Sequence, residues 1–257
     1  METATSLKRG LAILLALDEG GELGVTRISE LVGREKSQVS RTLKVLADHG
    51  LVERDPETLA YRLGWRIFTL AAVAGEQRLA SAAPRCLGEL VQTFEESAHL
   101  SVLQGADVLT VVSESPPQAV QAVRWVGRVV PAACTSAGYA LLIDRDRNEL
   151  EGLLPDQAFR RRHPRAPQSA DELWERLAAA ARRGYALADE ELEPGLVAVG
   201  APVRDFRGRV VAAVNVSAPK FRFAARVDEA GERVRIVAEE LSRVLGWAPE
   251  RPSILAR

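Results

Sequence analysis

TRISELVGREKSQVSRTLKVLADHG (residues 26–50), continued by LVERDPETLAYRLG (51–64), decides the architecture of this chain. Residues 26–31 read as a short helix with Ile28 and Leu31 on one face, and Gly33-Arg34-Glu35-Lys36 interrupts it. Ser37 is placed to cap a second helix, because its hydroxyl can accept a backbone N–H that a helix start leaves unpaired. Val39, Leu43 and Leu46 then recur at helical spacing and face inward, leaving Ser37, Gln38, Ser40, Arg41 and Lys44 on the polar side. Two short helices with hydrogen-bonding side chains near the start of the second match a DNA-reading helix-turn-helix.

The residues that follow extend this reading. Leu51-Val52-Glu53-Arg54 and Tyr61-Arg62-Leu63 form two strands around the turn Asp55-Pro56-Glu57-Thr58. A hairpin in that place is a wing, from which Arg54 and Arg62 can reach phosphate or a minor groove. Over residues 1–62 nine basic side chains face ten acidic ones, so no global basic footprint exists. The local distribution differs: Arg34, Lys36, Arg41 and Lys44 are opposed only by Glu35 between residues 34 and 44. A dimer doubles that patch against the DNA phosphates.

Composition bounds the rest. A chain of 257 residues, 47% hydrophobic and 27% charged with net charge -1, is a soluble globular protein of one large or two ordinary domains. Cys86 and Cys134 are too few and too far apart for a disulfide framework or zinc site, and read as buried thiols. No apolar run reaches membrane-span length and METATSLKRG lacks a secretory core, so a cytoplasmic protein without membrane contact is expected.

Enzymatic motifs are missing: there is no HExxH, CxxC, glycine-rich phosphate loop or GxSxG. Asp189-Glu190-Glu191 invites acid–base chemistry, but no histidine or metal set lies near it in sequence, which favours a loop or rim role. Cys134 with His99 as base is a pairing that the sequence does not bring together. The expectation is no enzyme, no cofactor and no metal.

Along the chain, residues 7–17 form an amphipathic helix with Leu11, Leu14 and Leu15 toward the core, ended by Gly20-Gly21. Residues 65–80 and 82–94 read as two helices, the second with Pro84 near its start. Ile67, Phe68, Leu70 and Val73 leave apolar surface for a second subunit or for the same chain. Strands are expected at 99–103, 108–113, 119–125, 185–189, 196–203 and 210–216, and helices at 135–143, 171–183 and 225–245. Residues 155–168 form a loop whose Arg160-Arg161-Arg162 run reads as solvated surface. This order indicates an α+β domain with a mainly antiparallel sheet.

RGYALADEELEPGLVAVGAPVRDFRGRVVAAVNVSAP (183–219), VGRVVPAACTSAGYALL (126–142), SLKRGLAILLAL at the start and HGLVERDPETLAYRLG at the wing together resemble the IclR family of bacterial transcriptional regulators. The resemblance spans essentially the whole chain. It implies a winged helix-turn-helix at 1–64, a linker helix at 65–81 and a GAF-like effector-binding domain at 82–257. It also implies operator DNA and a small organic acid as partners, and a homodimer or dimer-of-dimers tetramer.

The same resemblance indicates an effector pocket. Ser136 and Ala137 open a helix whose free N–H groups suit a carboxylate. Asn215 and Ser217, two apart on a strand, point to one side. Ala188 stands where some relatives carry an acid and Ala198 where some carry cysteine, which suggests an aromatic or medium-sized carboxylic acid. Trp125 and His99 are further wall candidates, each equally readable as core. The alternative is a dimeric DNA-binding protein whose C-terminal domain is structural and ligand-free.

Overall fold

The computed structural model describes residues 2–116, 125–154, 159 and 163–248. Two compact units divide the chain, Met1–Gln77 and Arg78–Arg257. The first holds α1 (Glu2–Gly20), α2 (Val25–Val32), α3 (Lys36–Asp48), β1 (Val52–Arg54), β2 (Tyr61–Leu63) and the start of α4 (Trp65–Phe94). Its core is Ile13, Leu17, Ile28, Val39, Leu43, Leu46, Val52 and Tyr61.

The α1 face differs from expectation. Gly10, Ile13 and Leu17 are buried and Leu14 half-buried, whereas Leu11 and Leu15 are 52% and 65% exposed. At 100° per residue, positions 10, 13 and 17 make one stripe and positions 7, 11 and 15 another. Both stripes are apolar here, so periodicity alone does not choose between them.

Gly33 ends α2 at φ +61, a left-handed conformation that glycine adopts without steric cost. Ser37 does not cap α3. The N-cap is Glu35, whose backbone carbonyl accepts the N–H groups of Gln38 and Val39 at 3.0 Å each. The turn at Gly33 therefore delivers the chain into the helix early, and Ser37 lies inside the first turn. In the hairpin, Glu53 faces Arg62 and Arg54 faces Tyr61. Asp55 Oδ1 accepts from the backbone of Glu57 at 2.9 Å and Thr58 at 2.7 Å, which ties the turn and holds its carboxyl below the usual range.

The expected helices at 65–80 and 82–94 are a single 30-residue helix, α4, with Pro84 in its interior. Proline lacks the N–H that would meet the Ala80 carbonyl. Burial of Ala83, Cys86, Leu87, Leu90 and Phe94 in the second core accompanies the continuity of the helix across that gap.

The second unit is built on a six-stranded antiparallel sheet ordered β5-β4-β3-β8-β7-β6. Its strands are β3 (Ser97–Gln104), β4 (Asp107–Glu114), β5 (Val129–Pro131), β6 (Ala186–Asp189), β7 (Leu196–Arg204) and β8 (Val210–Pro219). Its shorter helices are α5 (Ser136–Leu142), α6 (Arg147–Leu153), α7 (Ala170–Arg183) and α8 (Lys220–Phe223). The closing helix α9 is Val227–Val244, beginning two residues later than expected because a 3-10 turn, Ala224–Arg226, precedes it. The expected strand at 119–124 and the Arg160-Arg161-Arg162 run lie outside the described residues. Trp125 is described and is not in a strand.

β5 and α6 were not anticipated. The first is three residues long, whereas α6 begins with a capping box, Asp146 and Glu149, that the sequence does display.

Alternation along β7 and β8 separates two cores. Val197, Val199, Ala201 and Val203, with Ala212, Val214, Val216 and Ala218, join the buried face of α4 and Ala230, Val234, Val237 and Leu241 of α9. The other face is covered by α5 and α7, and Tyr139, Leu142, Leu173 and Leu177 are buried there. Two glycines permit close approach here, Gly138 to the turn that precedes α5 and Gly200 of β7 to α5 itself. A Cβ on Gly138 would stand 2.0 Å from the Ala132 carbonyl oxygen, and one on Gly200 would stand 2.9 Å from that of Ser136. The start of α5 is thereby pressed directly onto β7.

Candidate functional site

Two polar constellations emerge, one in each unit. On α3, Ser37, Ser40, Arg41 and Lys44 are exposed along one stripe, opposite the buried Val39, Leu43 and Leu46. Arg34 and Lys36 are exposed just before and at the helix start. Gln38 is half-buried on the flank of that stripe, and Arg41 Nε donates to the Ser37 carbonyl at 3.3 Å. The wing arginines are less free. Arg62 pairs with Glu22 at 3.1 Å and Glu53 at 3.3 Å, and Arg54 lies 5.6 Å from the Tyr61 ring centre. Both Arg62 pairs are exposed, so a phosphate can replace those carboxylates at little cost.

In the second unit, all eight anticipated pocket residues line one cavity: His99, Trp125, Ser136, Ala137, Ala188, Ala198, Asn215 and Ser217. Register explains the convergence. Ala188 faces Ala198, Ala198 faces Ser217, and Asn215 stands between Gly200 and His99, so β6, β7, β8 and β3 present these positions on the face that α5 covers. The Thr135 hydroxyl caps α5 by accepting from the Gly138 N–H at 3.1 Å.

His99 is the hub of this wall. Its Nδ1 lies 3.0 Å from Ser113 Oγ and its Nε2 3.2 Å from Ser217 Oγ, so one ring nitrogen donates and the other accepts. Burial pushes its pKa down to about 4, which keeps the imidazole neutral. The Trp125 ring lies 5.1 Å from the His99 ring, and the Arg128 guanidinium sits 4.3 Å from the Trp125 ring centre.

Sequence reading missed Glu191, together with Ser101, Thr110, Cys134 and Thr135, which also line the cavity. Glu190 takes φ +58 directly after β6, and Glu191 beyond it is buried instead of standing on the rim. There it accepts from the Tyr139 hydroxyl and, at 3.2 Å, from Arg176 Nε. Burial pushes its carboxyl up, with Tyr139 and Arg176 pulling the other way. Asp189 and Glu190 do not line the cavity; Lys220 donates to them at 2.8 and 3.1 Å, and Asp189 lines an outer groove. Cys134 and His99 share the cavity, and both His99 nitrogens are engaged by serines. Both cysteines are buried, and neither forms a disulfide. No cluster among the described residues has the makings of a metal site.

The cavity volume is about 40 Å³. That is room for a few waters, against the about 300–1,000 Å³ of drug-sized ligand sites. Any organic acid, compact or aromatic, needs the wall to move outward to be enclosed, and an aromatic one needs the larger movement.

Residues 6–56 match the family model described as the IclR helix-turn-helix domain, and residues 71–243 match the bacterial transcriptional regulator IclR C-terminal domain. The chain is similar to XynR, an HTH-type transcriptional regulator of Escherichia coli K12, at 32% identity over 254 residues, covering 96% of this chain and 99% of that one. It is similar to KdgR of the same organism at 29% identity over 248 residues, covering 96% and 94%. Among solved structures, that of Thermotoga maritima IclR superposes with a TM-score of 0.62 at 25% identity, covering 95% of this chain and 100% of that one.

Proposed function

This chain belongs to the IclR family of bacterial transcriptional regulators, and from that premise we propose that it is an operator-binding homodimer whose C-terminal unit senses a small organic acid. DNA binding and regulation come with the family, whose members are regulators and not enzymes. No described helix is long and apolar enough to cross a membrane, and a DNA-binding regulator works in the cytoplasm.

On this reading, residues 1–64 bind DNA, 65–81 link and 82–257 sense. Gln38 and Arg41 read base edges, adenine and guanine respectively, because a planar amide and a guanidinium offer the matching bidentate patterns. Arg34, Lys36, Ser37, Ser40 and Lys44 set register on phosphates, and Arg54 and Arg62 do so from the wing. Dimerisation is supported by exposed Leu7, Leu11 and Leu15 on α1 and Leu70 on α4. Of the other apolar positions on that helix, Ile67 is half-buried, and the side chains of Phe68 and Val73 lie outside the described ones.

The observation that carries the sensing role is the convergence of Ser136, Ala137, Asn215, Ser217 and neutral His99 on one cavity closed by small Ala188 and Ala198. The effector carboxylate takes the N–H groups of Ser136 and Ala137, and its hydroxyl or carbonyl meets Asn215 and Ser217. The cavity volume favours compact acids over the aromatic ones that Ala188 and Ala198 suggest by composition. Occupancy shifts operator affinity to the extent that it favours one dimer geometry over another.

A thermal-shift screen of lactate, 3-hydroxybutyrate, benzoate and 4-hydroxybenzoate tests this, because a ligand of the native state raises its apparent stability. Fluorescence anisotropy on the DNA upstream of the chain's own gene then reads the response. Stabilisation by the compact acids with a changed operator affinity is expected. No shift with any acid makes the C-terminal unit a ligand-free structural module.

A further inference from the structure

A buried carboxylate inside a site for acids is an unusual wall. Glu191 is 6% exposed, and it lines both the inner cavity and an outer groove between α7 and β6. Its partner Tyr139 is fully buried, and burial pushes the phenol far above its ordinary range, so the hydroxyl keeps its hydrogen. That one hydrogen has two acceptors within reach: the Glu191 carboxylate, and the Ala133 carbonyl oxygen at 3.2 Å. With Glu191 ionised, the phenol donates to the carboxylate and withholds its hydrogen from Ala133. With Glu191 protonated, the acid donates to the phenol oxygen and the phenol to Ala133, so both buried acceptors are served. The network therefore accommodates either protonation state by turning hydrogens with no heavy-atom shift; burial favours the acid, and the charges placed beside it shift the balance.

The groups facing Glu191 are few. Arg176 comes from α7, Tyr139 from α5, Asp189 from β6, Cys134 from a second 3-10 turn, Ala132–Cys134, and His99 from β3. On the groove side stand Arg165, Glu172, Glu175 and Arg183. Among the described residues, only Arg176 forms an ion pair with Glu191, and it does so from outside the cavity, 45% exposed. Among the described residues, no lysine or arginine lines the inner cavity. Glu191 lines this small cavity, so an effector carboxylate held there shares the cavity wall with the Glu191 carboxylate. Two like charges sharing so small a cavity do not both stay ionised.

We propose that Glu191 sets the charge class of the effector: the cavity takes acids with a single carboxylate, each together with a proton from solvent that settles on Glu191, and rejects dicarboxylates. This rests on the reading of the cavity as an organic-acid site. A second carboxylate would have to find a second proton or lie unpaired against buried walls.

The test is titration calorimetry of the full-length protein with lactate, 3-hydroxybutyrate, malate and succinate, between pH 5.5 and 8. Two buffers of different protonation enthalpy count the protons. For the monocarboxylates, net uptake approaching one proton is expected, with Kd weakening by up to tenfold per pH unit as pH rises. Malate and succinate should bind at least tenfold more weakly. Glu191→Gln preserves shape: its amide oxygen accepts from Arg176, and its NH2 donates to the phenol oxygen as the protonated acid would, with the phenol turned to Ala133. This variant should bind monocarboxylates with no proton uptake and no pH slope, and should narrow the gap to the dicarboxylates. Wild-type binding without proton uptake and without preference for one carboxylate overturns the role of Glu191 and leaves the acid site standing. No binding of any acid removes both. The proton count is made on the wild type, so a variant that fails to fold does not leave the proposal undecided.

Discussion

The exposed stripe of α3 and the interior cavity of the C-terminal unit are both polar, yet they are built on opposite terms. On α3, Ser37, Ser40, Arg41 and Lys44 point into water and owe the fold nothing beyond the helix that carries them. In the cavity, His99, Asn215, Ser136 and Glu191 are buried, and for two of them the hydrogen bonds are explicit: His99 to Ser113 and Ser217, Glu191 to Tyr139 and Arg176. A surface patch is thus free to change for binding without cost to folding, whereas a buried constellation couples ligand, proton and stability.

The sharpest test of this separation is the double change Gln38→Ala with Arg41→Ala. Each base contact is worth about 1–3 kcal/mol, so operator preference should fall by roughly 2–6 kcal/mol. Unfolding should move by no more than about 0.5 kcal/mol, and dimerisation and acid binding should be unchanged. Anisotropy across a salt series, with sedimentation alongside, measures both sides. A lost dimer would mean that this face is structural.

The buried side of the comparison is tested by pH. His99 has a folded pKa near 4 against an ordinary value of 6.5, so between these limits the folded state binds fewer protons than the unfolded one. Its contribution is fully present above pH 6.5 and is lost as pH falls toward 4, by about 3 kcal/mol. Glu191, whose carboxyl is pushed up, acts with the opposite sign, so the His99 term is isolated by difference. Urea unfolding followed by the fluorescence of Trp125, Trp174 and Trp247 should show the wild type losing stability faster than His99→Gln over that window. Parallel curves would mean that the imidazole is solvated.

The smallest expected effect is at the cavity edge. Ser217→Ala or Asn215→Ala should weaken acid binding by about 0.5–1.5 kcal/mol if each provides one neutral hydrogen bond. Operator affinity without effector should stay the same, and the midpoint of the effector response should move to higher concentration. An unshifted midpoint in both variants would place the acid elsewhere.

Much of the DNA-facing unit was legible because its information is local. Val39, Leu43 and Leu46 repeat within one helix, Gly33 breaks it, and the hairpin turn follows within a few residues. Even there, two apolar stripes on α1 were indistinguishable by period, and the cap passed from Ser37 to Glu35 because a turn chose where the helix begins. The cavity residues were located through resemblance and not through their chemistry. Nothing in the chain near Glu191 says that it turns inward.

By itself, the sequence determined the order of elements, the winged helix-turn-helix, the α+β class and the identity of the polar groups that each strand carries. Periods of two and 3.6 residues and glycine punctuation act over a few residues, and a reader can count them. The tertiary structure alone decided that α4 runs through Pro84, that Gly200 lets α5 rest on the sheet, and that Glu191 meets Tyr139 from 52 residues away. Those outcomes depend on which surfaces meet after strands pair across long separations. Burial then gives each side chain a charge state and a partner that its neighbours in sequence do not specify.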